Sequence, residues 1–240
     1  PGAFAATAEA PTDWQHWQAG TDVSNLDSLQ RGARDFMGYC FGCHSLKYLR
    51  YKRMGDDLSI DAALLGKYFV PANAKPADYI VTAMPAADAE AWFGKPPPDL
   101  SLETRLRGTD WLYQFLKTFY ADPARNFAVN NLRFEATAMP HVLSELQGVQ
   151  TAVFRNVEVK GAGGAVTTQR VFDHFEQSVP GRLSAEEYDA FARDLVNFLD
   201  YVGEPAQADR RQLGIWVVLF LLVFTWIAWL LKKEYWRDIH

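Results

Sequence analysis

"YCFGCHSLKYLRY", residues 39–51, contains the only two cysteines of the chain, Cys40 and Cys43, with His44 directly after them. Upstream of it, "SNLDSLQRGARDFMGYC" places Leu26, Leu29, Ala33, Phe36 and Cys40 at intervals of three and four. That spacing is one face of an amphipathic helix. Ser24 with Asp27 predicts its start as a capping-box-like pair. The cysteines therefore arrive at the end of a helix.

Three chemistries use such a pair. A structural zinc site usually takes four protein ligands, and the sequence offers no further cysteine and no His-x(3–5)-His pair. A thioredoxin-like couple calls for a strand leading into the motif within an alternating α/β pattern, whereas the entering segment reads as helix. The third is covalent attachment of a c-type haem. Two thiols bond the two vinyl groups, and the next residue presents its imidazole to the iron. This reading accounts for every thiol. Such attachment takes place outside the cytoplasm, in agreement with Ala3-Phe4-Ala5, an A-x-A pattern of the kind that closes secretory leaders.

Further along, "LGIWVVLFLLVFTWIAWLL", Leu213–Leu231, carries no charge. As a helix it is about 28 Å long, close to a bilayer core. Trp216 near one end, and Trp226, Trp229, Tyr235 and Trp236 at the other, sit where interfacial aromatics sit. Charges flank both ends, so the positive-inside bias is slight, and the haem motif sets the orientation, with residues 1 to about 210 outside. The expected organisation is a periplasmic haem domain over 1–208, a linker and membrane anchor over 209–231, and a cytoplasmic tail over 232–240. A net charge of −5 argues against a nucleic-acid partner and leaves a basic protein partner open. Asp56, Asp57, Asp88 and Glu90 are the acids expected near an exposed haem edge.

The rest reads as short helices and ordered loops. "MGDDLSIDAALLGKYF" predicts a short helix, and "TDWLYQFLKTFYADP" another, with Asp110 in its first turn and an apolar face through Trp111, Leu112, Phe115, Leu116 and Phe119. "VPANAKP" and "FGKPPPDLSL" interrupt helices. β-branched runs on either side of "GAGG", within 152–175, predict a hairpin. A second capping box, Ser184 to Glu187, opens a helix with Tyr188, Phe191, Leu195, Phe198, Leu199 and Val202 on one face, ended by Gly203 and Pro205. The predicted fold class is mainly α: a cytochrome c-like haem domain with a small β-hairpin insertion and one C-terminal transmembrane helix.

A proximal imidazole needs its second nitrogen held. The proline-rich loop Pro96–Leu100, through Pro97 and Pro98, is the candidate to do it with a backbone carbonyl. For the other face of the iron the sequence offers "TAMP" twice, at Thr82–Pro85 and Thr137–Pro140. Met84 precedes the proline loop and Met139 follows it. A chain that completes the proximal side before crossing over assigns Met139 as sixth ligand and Met84 as packing. Met37 and Met54 lie too near the attachment helix. His141 is a possible competitor, but bis-histidine ligation would depress the potential. His16, His141 and His174 read as structural. A methionine on that face counts against a haem enzyme such as a peroxidase, which keeps the face open for substrate. A membrane-anchored cytochrome c serving a terminal oxidase remains open on these grounds.

Taken in order, "LQRGARDFMGYCFGCHSLKYLRY", "PPPDLSL", "RLRG", "ATAMPHV" and "GEPAQADRRQLG" entering one span resemble cytochrome c1 of the bacterial cytochrome bc1 complex over nearly the whole chain. The resemblance implies one haem c held by Cys40, Cys43 and His44, with Met139 as the second axial ligand. It also implies Arg107 as the propionate-binding arginine, Arg105 being a solvated charge. It implies electron transfer from a Rieske iron–sulfur protein to a cytochrome c-type acceptor, beside cytochrome b, in a dimeric complex of the inner membrane. On this reading the subunit has no catalytic site of its own. The structural disulfide of some relatives cannot form here, because no second cysteine pair exists.

Overall fold

The computed structural model describes residues 14–160 and 166–237. The Ala3-Phe4-Ala5 pattern, the GAGG stretch at 161–164 and His240 lie outside the described residues. One compact unit runs to Gly203 and a second begins at Glu204.

In the first unit, two helices form the frame: α1 (Leu26–Tyr39) and α8 (Ala185–Gly203). They cross at Gly32. A Cβ there would lie 2.1 Å from the Asp194 carbonyl oxygen and 2.6 Å from Cβ of Phe198, so only glycine allows the approach. Phe36 packs on Phe198, ring centroids 5.8 Å apart, and Leu29, Ala33 and Leu195 are buried in the same seam. The helix α1 starts one residue later than the capping-box reading. Asn25 is the N-cap, its side chain accepting from Ser28 N at 3.1 Å, while Ser24 turns back to Asp22. The box at α8 is present as read: Glu187 N–H donates to Ser184 Oγ, and Ser184 N–H to Glu187 Oε2.

Between the two helices the chain makes short elements. They are β1 (Leu46–Arg50), α2 (Tyr51–Asp57), α3 (Ala62–Tyr68), β2 (Tyr79–Ile80), α4 (Ala86–Phe93), α5 (Glu103–Arg107), α6 (Thr109–Lys117), β3 (Phe119–Ala121), β4 (Val129–Asn131) and α7 (Ser144–Gln147). The single helix expected over 54–69 is thus two. They part at Leu58–Asp61, where Ser59 takes φ of 53° and Asp61 caps α3 through Ala63 N and Leu64 N. Phe119 does not extend α6. It starts β3, which pairs antiparallel with β4, Phe119 opposite Asn131. Phe119 is buried either way, so its apolar spacing is a poor guide to the helix end.

The hairpin is longer than expected: β5 (Gly148–Lys160) and β6 (Val166–Pro180) pair antiparallel along their length, with bulges near Gln150 and Phe154. In the second unit, α9 (Gln207–Tyr235) is one continuous helix that begins two residues before the linker expected from 209 and runs four residues past Leu231. It is long and apolar enough to cross a membrane, which fits a single-pass anchor.

Candidate haem-binding site

The end of α1 shapes the cysteine motif. Cys40 N and Phe41 N both donate to Phe36 O, at 2.8 and 2.9 Å, and Cys43 N and His44 N then donate to Cys40 O, at 3.0 and 2.8 Å. This tight turn brings Cys40, Cys43 and His44 to the wall of one cavity of about 320 Å³. Both thiols are free. Burial, helped by Asp35 and Cys43, pushes the Cys40 thiol up to about 12. The motif is entered from the helix α1 and not from a strand, so the thioredoxin-like reading fails on fold.

His44 is buried, and its Nδ1 lies 2.8 Å from the Pro98 carbonyl oxygen. A carbonyl only accepts, so Nδ1 carries the hydrogen and Nε2 keeps a lone pair, the tautomer a metal requires. Burial also holds the imidazole below the ordinary histidine range, against smaller contributions from Pro98, Glu103 and Asp99. The carbonyl is delivered by a stapled loop. Asp99 accepts from Lys47 N at 2.8 Å and from Ser101 N at 3.0 Å, Leu100 N donates to Ser45 O at 2.9 Å, and Tyr48 N donates to Ser101 Oγ at 3.2 Å. Sequence reading found the prolines and missed Asp99, Ser101 and Ser45. "DLS", an Asx-turn pattern, was the available signal.

The two TAMP segments make the same turn. Met84 N donates to Thr82 Oγ1, and Met139 N to Thr137 Oγ1, each at 3.3 Å. Only the second faces the cavity: Thr137, Ala138, Met139 and Pro140 all line it, and Met84 does not. Thr82 braces the cysteine turn instead, donating to Gly42 O at 2.9 Å. Met54 is buried in the core and Met37 packs against it. His141 lies outside the cavity wall, stacked on Phe119 with ring centroids 4.7 Å apart, and burial lowers its pKa to about 4. The second TAMP is approached through two buried asparagines that sequence reading passed over. Asn131 Oδ1 accepts from Arg133 N, Phe134 N and Thr118 Oγ1, its Nδ2 donates to Phe115 O, and Asn130 Oδ1 accepts from Ala136 N.

The remaining wall is mostly apolar: Trp111, Leu112, Phe115 and Leu116 from α6, Leu195 and Leu199 from α8, with Phe93 and Phe134, and Lys95 and Glu103 are charged members of it. Arg107 joins it and Arg105 does not; Arg105 is exposed and lies along Gly203. None of Asp56, Asp57, Asp88 and Glu90 lines the cavity. Asp56 and Asp57 pair with Lys52 and Arg53 one turn earlier in α2. An apolar slot with two thiols, a tied imidazole, a thioether and one arginine at its wall fits a haem. Thiols and imidazole sit on one turn, and the ring would lie against leucines and aromatics.

Short helices around this slot, with the Cys-x-x-Cys-His turn in its wall, define a domain of the c-type cytochrome class. The sequence model of the Cytochrome C1 family matches residues 14–239. The chain is 46% identical over 222 residues to cytochrome c1 of Allochromatium vinosum, covering 92% of this chain and 88% of that protein. It is 43% identical over 223 residues to a protein named ammonia monooxygenase gamma subunit from Nitrosomonas europaea, covering 93% and 88%. It is also 28% identical over 260 residues to cytochrome c1 of Rhodospirillum rubrum, covering 95% and 87%. The chain belongs to the cytochrome c1 family, whose members carry haem c and transfer electrons in bc1-type complexes.

Proposed function

We propose that this chain is the haem-bearing electron-transfer subunit of a ubiquinol–cytochrome c oxidoreductase, with one haem c tethered through thioethers to Cys40 and Cys43. His44 Nε2 and the Met139 thioether would hold its iron, and Arg107 would neutralise a propionate. The bound haem supplies one-electron chemistry between ferric and ferrous iron. The protein's part is to fix the imidazole through Pro98, exclude water with the mostly apolar wall, and offer the Met139 thioether to the iron. The haem domain, to about residue 208, lies in the periplasm; residues 209–231 anchor it, and 232–240 face the cytoplasm. Electrons enter from the Rieske protein and leave to a soluble or membrane-bound cytochrome c. Cytochrome b and the Rieske protein are the neighbours, in a dimeric assembly of the inner membrane.

The observation that carries the reading is the Nδ1–carbonyl contact of 2.8 Å between His44 and Pro98, on a cavity that Met139 also lines. A tied imidazole and a methionine suit an electron carrier and obstruct a substrate site. The test is to isolate the complex from native membranes and identify what co-migrates. Cytochrome b and a Rieske protein are expected; a terminal oxidase, or the partners of a monooxygenase, would overturn the assignment. Ready binding of carbon monoxide to the reduced haem would turn it toward an enzyme.

A further inference from the structure

Among the described residues the cavity wall holds one acid, Glu103, which sequence reading did not single out. It sits one turn before Arg107 on α5, and Arg107 Nε donates to its Oε2 at 2.9 Å. The Glu103 side chain is 13% exposed and that of Arg107 36%, so the acid is the sheltered member of the pair and the guanidinium reaches from it toward the rim of the cavity. The same guanidinium lies over the Trp111 ring, 4.3 Å from its centroid, and 5.6 Å from that of Phe134. The ring contact sets the plane of the guanidinium, and the carboxylate at Nε sets its rotation within that plane. Among the described residues no acceptor meets the two Nη atoms, although Arg107 lines the cavity.

We infer that Glu103 is a positioning residue for the haem: it holds Arg107 by Nε, presents the Nη edge to a ligand carboxylate, and sets the reduction potential through its own charge. This rests on the haem reading above. Besides Lys95, which also lines the cavity, Glu103 and Arg107 bring charges of opposite sign to the iron. The cation of Arg107 favours the ferrous state, which carries one positive charge less, and the anion of Glu103 favours the ferric. Glu103, at 13% side-chain exposure, is the less screened of the two; Arg107, at 36%, is partly screened by solvent. The carboxylate therefore offsets part of the arginine's field while fixing its geometry.

The test is spectroelectrochemical titration of the haem in the full-length, membrane-extracted protein. Glu103→Gln keeps an oxygen that can accept from Nε and removes the charge, so the potential rises. Arg107→Gln shifts it down. The double variant departs from the sum of the two, because Glu103 acts partly through Arg107. Glu186→Gln, on the exposed first turn of α8, leaves the potential in place. An unchanged potential in a haem-loaded Glu103→Gln protein, or a shift downward, overturns the inference. If that variant takes up no haem, Glu103→Asp decides. A loaded Asp variant with near-native potential supports the charge role, and one that also fails to load makes Glu103 a folding residue and sinks it. Absence of haem from the wild-type protein would instead strike the reading on which this rests.

Discussion

Thr82–Pro85 and Thr137–Pro140 have the same four residues and the same threonine-to-methionine turn, yet they do different work. The first lies against the cysteine turn, where Thr82 donates to Gly42 O and its own N–H donates to Ser45 Oγ. The second lines the cavity. What separates them is upstream. The second is suspended from Asn130 and Asn131 after β4, and the first follows β2, paired with β1 just beyond the haem motif. A local motif sets the shape of a turn; the chain that delivers it decides what its methionine meets.

The sharpest way to break this contrast is a pair of leucines. Met139→Leu should abolish the sulfur-to-iron charge-transfer band of the oxidised protein and admit carbon monoxide to the reduced one. It should lower the potential on the order of 0.2 V, within the ~0.8 V that axial ligands span. Met84→Leu should do none of these, and a reversed outcome would refute the wrapping order. A smaller effect is expected at the suspension. Asn131→Ala strands the buried hydroxyl of Thr118 and the half-buried N–H donors of Arg133 and Phe134. It should cost about 2–4 kcal/mol in denaturant unfolding and weaken the methionine band before the protein unfolds. Asp99→Ala should be milder, about 1–2 kcal/mol, and should leave that band intact because it loosens only the His44 side. The smallest effects come from the threonines. Thr82→Val loses a bond to another segment as well as the turn and should cost about 1 kcal/mol; Thr137→Val loses the turn alone and should cost about 0.5 kcal/mol. Equal melting shifts for the two would mean that the brace at Gly42 contributes nothing.

Legibility followed the range of the interactions. The cysteine turn, the capping box of α8 and the apolar span depend on residues within a few positions of one another, so they can be read from the chain. The Pro98 carbonyl was reachable because a tied imidazole is a chemical need and proline marks a rigid supplier. The misreadings lie where tertiary pairing competes with periodicity. Phe119 continues the spacing of three and four from Trp111, but Asn131 opposite it draws the backbone into a strand. Ser24 has the composition of a cap, but Asp22 takes its hydroxyl and Asn25 caps instead. Glu103 was invisible for a different reason. A glutamate one turn before an arginine is ordinary surface pairing, and only the fold shows that this pair closes a cavity.

The neck of the hairpin has a consequence for how such a protein changes over generations. Gly148 and Gly181 meet back to back: a Cβ on either would lie 2.5 or 2.6 Å from the other's backbone nitrogen. Just outside them, Leu183 N donates to Leu146 O at 3.1 Å and Arg182 N to Glu145 O at 2.9 Å. The main chain is thus already joined across the base of the ribbon, and everything from β5 to β6 is a detour that starts and finishes at one point. Nearer the junction the ribbon is tied down, Gln150 donating to Lys117 O and Phe119 O and Phe154 meeting Tyr120, so insertions, deletions or a grafted loop can be accepted beyond Phe154 while the junction keeps its spacing. The same tolerance ends abruptly at the two glycines, where a single methyl group would pry the junction apart.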